Sequence, residues 1–167
     1  MRSKYSVWFY GLGLAVVATD QLTKFVARRA LDYDVPVRVI PGFLDWRLSY
    51  NSGAAFGVLP NWAPLFIVIA LVAVFAVVRL RKAGEGARSL SAGLGLLLGG
   101  AVGNLIDRIV SPAREVTDFI SMHVSYAGEA RYWPTYNVAD IGIVVGAFLV
   151  FVYVYVVSKR IEEARSE

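Results

Sequence analysis

Four stretches of the chain are apolar over enough consecutive positions to cross a bilayer, which takes about 20 residues at a rise of ~1.5 Å per residue. They run from about Val7 to Val26, Trp62 to Val78, Leu90 to Ile109 and Val138 to Val157. None alternates with the period of two that a membrane barrel needs, whereas a helix satisfies its own backbone in lipid. The pattern therefore predicts an all-α membrane protein of four transmembrane helices, folded as a single domain over residues 1–167.

The two longer polar segments, about 27–61 and 110–137, carry local patterns of their own. Val35, Val37 and Val39 alternate with polar residues, a Pro41-Gly42 pair follows, and Leu44, Trp46 and Leu48 alternate again, which predicts two short strands about a turn. Met122-His123-Val124 and Arg131-Tyr132-Trp133 flank Ala127-Gly128-Glu129 and predict a second hairpin or an interfacial segment. Trp46, Trp62, Tyr132 and Trp133 fit an aromatic belt at a membrane surface. Ile161 to Glu167 read as a solvated tail.

Composition supports the membrane reading. The chain is 57% apolar before its 15 glycines are counted, and only 18% charged. Its net charge of +4 is better explained by loops beside a membrane than by nucleic acid. With no cysteine and His123 as the one histidine, thiol catalysis, disulfides and Cys- or His-rich metal sites are excluded. Arg2 and Lys4 ahead of an apolar run also look like a secretory signal ending near Val16-Val17-Ala18. Asp20 and Lys24 directly afterwards, and three further spans, favour a retained first helix. Basic residues in the short segments (Arg2, Lys4, Arg79, Arg81, Lys82, Arg88, Lys159, Arg160 and Arg165) put both termini in the cytoplasm by the positive-inside rule.

Whatever the orientation, four spans place the end of the first, both long loops, the end of the third and the start of the fourth on one side. Asp20, Lys24, Asn51, Asn104, Asp107, Arg108, Asp118, Asn137 and Asp140 all lie there. Ionisable groups beside hydrocarbon are costly unless paired or used, so this crowding marks a functional site. Asp20 and Lys24 share a helix face, either as a helix-end ion pair with a snorkelling lysine or as a pair that fixes the site's geometry. Gly99 and Gly103 form a G-x-x-x-G pair behind Gly93 and Gly95, a packing signal. Asn104, Asp107 and Arg108 follow on one side of the same helix, either locking the bundle or, for Arg108, holding a carboxylate or a substrate carbonyl. Asp140 at the entry to the fourth span complements that helix's dipole, and Asp118 lies in the loop after the third. Two acids meeting at one membrane face and sharing a proton would divide general base and general acid work between them. Asp20 or Asp107 would serve equally as a partner in a proton relay. The rival classes are thus a small transporter and a purely structural subunit. A relay needs ionisable groups continuing towards the other face, and the third and fourth spans have none.

Five blocks carry a more specific signal: Thr19-Asp20-Gln21-Leu22-Thr23-Lys24, Asn51-Ser52-Gly53-Ala54-Ala55-Phe56-Gly57, Gly99 to Arg108, Val116-Thr117-Asp118-Phe119, and Trp133-Pro134-Thr135-Tyr136-Asn137-Val138-Ala139-Asp140. In this order around four spans they resemble the signal peptidase II family, also called lipoprotein or prolipoprotein signal peptidases. The resemblance implies a bacterial inner-membrane aspartyl endopeptidase that cuts prolipoproteins immediately before a diacylglyceryl-modified cysteine. By the same resemblance Asp118 and Asp140 match the catalytic dyad. Asp20, Lys24, Asn51, Gly53, Asn104, Arg108, Asn137 and Ala139 match positions that shape the site or contact substrate, and Asp107 is structural. It further implies a periplasmic β-structured cradle, a lid loop holding Phe56, inhibition by the cyclic peptide globomycin, contact with membrane lipid, a monomer, and no metal or cofactor.

Overall fold

A computed structural model describes residues 5–53, 62–82, 87–126 and 129–166. Ala54-Ala55-Phe56-Gly57, with the expected lid, lie outside the described residues, as do Arg2 and Lys4. The chain runs α1 (Ser6–Ala30), β1 (Val37–Ile40), β2 (Leu44–Asn51), α2 (Ala63–Leu80), α3 (Arg88–Val110), β3 (Val116–Tyr126), β4 (Glu129–Tyr132) and α4 (Val138–Ser166). Among the described residues, α2, α3 and the Val138–Ile161 part of α4 are long and apolar enough to cross a membrane. At 25 residues α1 is long enough, but Asp20, Gln21, Lys24, Arg28 and Arg29 lower the hydropathy of its second half. The expected tail is instead helical: α4 continues through Ile161 to Ser166.

Helix α3 is the hub on which α1, α2 and α4 pack. Half of its apolar window is buried, against 11% for α2 and 12% for α4, so the outer helices present their sides to the surroundings. Glycine makes this central position available. A Cβ on Gly99 would stand 2.6 Å from the Gly13 carbonyl oxygen, and one on Gly103 would stand 2.7 Å from Asp20 Oδ2 and 3.2 Å from the Ala139 Cβ. The G-x-x-x-G spacing thus admits α1 and α4 together, and it seats the polar cluster directly against the α3 backbone. Gly103→Ala is expected to lower stability by about 1–3 kcal/mol, because Asp20 is held by partners and has nowhere to move. Gly11→Ala, with nothing within 4 Å of the added carbon, should stay within about 1 kcal/mol of wild type. Thermal unfolding of the two variants in one detergent checks the contrast.

The two expected hairpins join into one antiparallel sheet in the order β1-β2-β3-β4. The first turns at Ile40-Pro41-Gly42-Phe43, where Gly42 takes φ +76° and the Phe43 N–H donates to the Ile40 carbonyl at 3.0 Å. Proline followed by a positive-φ glycine is the type II pattern. In the central pairing Leu44 faces Met122, Asp45 faces Ser121, and Ser49 faces Asp118, with a register shift between Trp46 and Ser49. Asp118 therefore lies within a strand and not in a loop, and a strand holds a side chain's direction far more tightly. Ala27, Leu48, Phe119 and Ile120 form the core where the end of α1 meets the sheet. A second core of Phe9, Val77, Leu90 and Leu94 closes the other end of the bundle.

Candidate active site

The two sequence-predicted acids are brought together by one short backbone contact. Tyr136 pairs with Ile120 across β3, its N–H donating to the Ile120 carbonyl at 3.0 Å and its carbonyl accepting the Ile120 N–H at 2.9 Å. The chain then enters α4 at once, so Asn137 and Asp140 arrive beside Asp118. Asn137 caps the helix: its Oδ1 accepts the Asp140 N–H at 3.0 Å, while Asp140 Oδ2 accepts the Asn137 N–H at 3.1 Å. This is a reciprocal capping box spelled Asn-x-x-Asp. The Asn137 amide nitrogen also donates to Asp118 Oδ1 at 2.6 Å. One asparagine therefore fixes both carboxylates.

Each acid has a second tether. Asn104 Nδ2 donates to Asp140 Oδ1 at 2.8 Å, and Asn51 Nδ2 donates to Asp118 Oδ2 at 3.3 Å. Asn51 is oriented by its own Oδ1, which accepts the Gly53 N–H at 2.9 Å in an Asx turn. Arg108 reaches the Gly53 carbonyl from α3 with Nη2 at 3.1 Å and so holds that turn against the helix bundle. The described contacts of Arg108 are to the protein's own main-chain carbonyls, Gly53 and, at 3.4 Å, Asn104, as in the expected role of locking the bundle.

Beneath the acids lies a buried ion cluster. Lys24 and Asp20 are both fully buried, and Nζ contacts Asp20 Oδ2 at 2.9 Å, Asn104 Oδ1 at 3.0 Å and Asp107 Oδ2 at 3.3 Å. The ammonium's three donors are all used, so Lys24 does not snorkel to the surface. Asp20 Oδ1 accepts the Ala139 N–H at 2.9 Å, which ties α1 to the first turn of α4. Asp107 Oδ2 accepts the Thr117 N–H at 2.8 Å and sets where β3 begins, one residue before Asp118. Two residues without an assigned role in the sequence reading also belong here. Gln21 Nε2 bridges Asp20, the Gly103 carbonyl and Asp107 at 3.1–3.2 Å, and Arg28 donates to the Thr117 hydroxyl at 2.9 Å. The signal was present in the spacing, since Gln21, Lys24 and Arg28 lie three and four apart on one face of α1.

Asp118 is almost wholly buried. Burial pushes its carboxyl up to about 7, and the neighbouring Asp140 charge adds to the rise, while hydrogen bonds from Asn137 and Asn51 and the charge of Lys24 pull the other way. It forms the floor of an open cleft of about 660 Å³, whose walls are Ser49 to Gly53 on one side and Tyr132 to Thr135 on the other. That lining comes from the sheet, the turn after β2 and the segment leading into α4. A cleft with a high-pKa carboxyl at its base, and a second acid tethered to the same asparagine, is suited to general acid and base chemistry on an extended chain. His123 stands apart, buried in the sheet with Nδ1 3.3 Å from Asp45 Oδ2. Among the described residues no group of three or more acids and histidines could hold a metal ion.

Comparison with known proteins agrees with this architecture. Residues 12–156 match the family model described as signal peptidase (SPase) II. A lipoprotein signal peptidase of Listeria monocytogenes is 36% identical over 156 residues, covering 92% of this chain and 97% of that protein. One from Oleidesulfovibrio alaskensis is 40% identical over 162 residues, covering 93% and 98%. A solved structure, a bacterial membrane enzyme studied by the in meso method, superposes with a TM-score of 0.76 at 29% identity over 92% of this chain and 97% of its own. The chain belongs to the signal peptidase II family, proteases that remove the signal peptides of prolipoproteins.

Proposed function

We propose that this chain cuts its precursor on the Asp118–Asp140 pair, immediately before a diacylglyceryl-modified cysteine. The observation that carries the assignment is the double attachment of both carboxylates to Asn137. Groups fixed this closely cannot both ionise easily, and the pair titrates as a unit sharing one proton. The ionised partner takes a proton from water as the oxygen attacks the scissile carbonyl. The protonated partner donates to the carbonyl oxygen, giving a neutral gem-diol. The proton taken from water then passes to the departing nitrogen while the other, now ionised, aspartate takes a proton from one gem-diol hydroxyl. The C–N bond breaks, releasing a carboxylic acid on the signal peptide and a free amine on the lipid-bearing cysteine, and the pair again holds one proton.

Asn51, Gly53, Asn104, Arg108 and Ala139 shape the site around this chemistry, and Asp20 with Lys24 holds its floor. All four helices span a bacterial inner membrane, with the acids and sheet at the periplasmic face and both termini in the cytoplasm. Arg79, Arg81, Lys82 and Arg88 at the opposite end of α2 and α3 support that orientation. The signal peptide's apolar segment lies beside α3 and α4, and the diacyl chains stay in the bilayer. The protein works as a monomer, and globomycin occupies the same acids without being cut.

Purified protein incubated with a diacylglyceryl-modified precursor should release a product that begins at the modified cysteine, as read by mass spectrometry. A precursor with an unmodified cysteine should remain intact. Equal cleavage of the two would contradict recognition of the lipid.

A further inference from the structure

The end of the bundle remote from the acids carries a second concavity, of about 430 Å³, lined by Tyr10, Val78, Arg79, Arg81 and Lys82. It lies where the C-terminal end of α2 meets the first turns of α1. Its cations are arranged by aromatic rings: Arg81 Cζ sits 5.6 Å from the Tyr10 ring centroid, and Arg79 Cζ sits 5.4 Å from that of Phe75. Arg81 Nη1 also donates to the Tyr10 hydroxyl at 2.8 Å, which leaves that oxygen's own proton to be donated elsewhere. Among the described residues Arg79, Arg81 and Lys82 form no ion pair with a carboxylate. Among the described residues, three cations and a hydroxyl donor surround one cavity with no carboxylate paired to them, the lining of an anion site.

The surroundings select the kind of anion. Helices α1 and α2 both pack on α3 and meet along a seam at Phe9 and Val77, which share one buried core. Both flank it with exposed apolar side chains, including Val7 and Leu14 on α1 and Phe75 and Val78 on α2. A free phosphate needs only the cations. A phospholipid uses both parts, its phosphate at the basic mouth and its acyl chains along the seam, as basic pockets between membrane helices do.

We infer that this cavity is a binding site for an anionic phospholipid, with Arg79, Arg81 and Lys82 holding the headgroup phosphate, Tyr10 donating to it, and the α1–α2 seam taking the acyl chains. The site is separate from the cleft that receives the precursor.

The test uses the full chain in detergent, offered equal amounts of phosphatidylglycerol and phosphatidylcholine of identical acyl chains, with the retained lipid read by native mass spectrometry. Wild type should retain phosphatidylglycerol at least about tenfold over phosphatidylcholine, at roughly fivefold per basic residue near the phosphate. The R79Q/R81Q/K82Q variant should lose that preference while cleaving detergent-presented precursor at the wild-type rate. R79K/R81K, which keeps the charge, should retain it. If the triple variant does not fold, Arg79→Gln and Lys82→Gln are read singly, each lowering the preference about fivefold. Equal retention of the two lipids by wild type, or an unchanged preference in the glutamine variants, would overturn the site. Displacement of the lipid by equimolar glycerol phosphate would overturn the lipid assignment.

Discussion

Asp118→Asn and Asp140→Asn are each expected to lower kcat for precursor cleavage by about 10²- to 10⁴-fold, the scale of losing a general acid or base at the reacting bond. Asparagine is nearly isosteric, but its single amide oxygen keeps only one of the two hydrogen bonds that each carboxylate accepts, and its NH2 meets the other donor. Asp118 accepts from Asn137 and Asn51, and Asp140 accepts from Asn104 and the Asn137 N–H. The fold should still survive while the shared proton is lost. For Asp118→Asn the sign on stability follows from the raised carboxyl. A folded-state value of about 7 against 3.8 means that the native acid costs stability progressively as pH rises from about 4 to about 7. The neutral amide removes that cost, which at pH 8 works against the loss of the weaker Asn51 hydrogen bond, so this variant should lose less stability at pH 8 than at pH 5 relative to wild type. Under the proposed mechanism the two acids act as one unit, so the double variant should be little slower than either single one. Single-turnover cleavage paired with thermal unfolding reads both quantities. Multiplicative losses in the double variant would argue for independent roles.

Lys24→Met is expected to have the largest effect on stability, about 3–5 kcal/mol, because it strips the cation from a cluster that stays buried. Lys24 and Asp20 have no solvent exposure and Asp107 has 5%, so neither carboxylate can recover its lost partner from water. Arg28 lies 4.0 Å from Asp107 and offers little compensation. The consequence reaches the acids through named contacts: Asp20 holds the first turn of α4, Asp107 holds the start of β3, and Asn104 touches both Lys24 and Asp140. Activity should fall with stability in this variant, whereas the dyad variants separate the two. Lys24→Arg should rescue little, since a guanidinium does not fit a site sized for three contacts to one nitrogen. A loss below about 1 kcal/mol in Lys24→Met, measured by unfolding in detergent, would show that the cluster is not closed to water.

The apolar runs and turn residues made the helices and both hairpins legible, down to the Pro41-Gly42 turn. They did not reveal that the hairpins form one sheet. The pairing of β2 with β3 joins residues more than 60 positions apart, and periodicity reports only which face is apolar, not which strand will cover it. For the same reason Asp118 was expected in a loop. Lys24 was legible as a partner of Asp20 but not as a buried one, because Asn104 and Asp107, its remaining partners, come from α3. The crowding of polar groups on one side of the spans brings out most of the site residues, and the family blocks add Gly53 and Ala139 and single out Asp118 and Asp140 as the dyad. Their arrangement depends on contacts that no single block contains, above all the Tyr136–Ile120 bridge that delivers Asn137 to Asp118. The helical end of α4 was missed because charge in Ile161 to Ser166 reads as solvation whether or not the backbone stays helical.

In the proposed mechanism Asp118 and Asp140 hold one proton between them in the neutral range. Carbon-13 NMR of aspartate carboxyl groups, in protein labelled at those carbons and reconstituted in lipid nanodiscs, measures that directly. A shared proton means one proton on the pair at pH 6, leaving with a midpoint of about 7, and no such transition in Asp118→Asn. Two fully ionised carboxylates at pH 6 would contradict it.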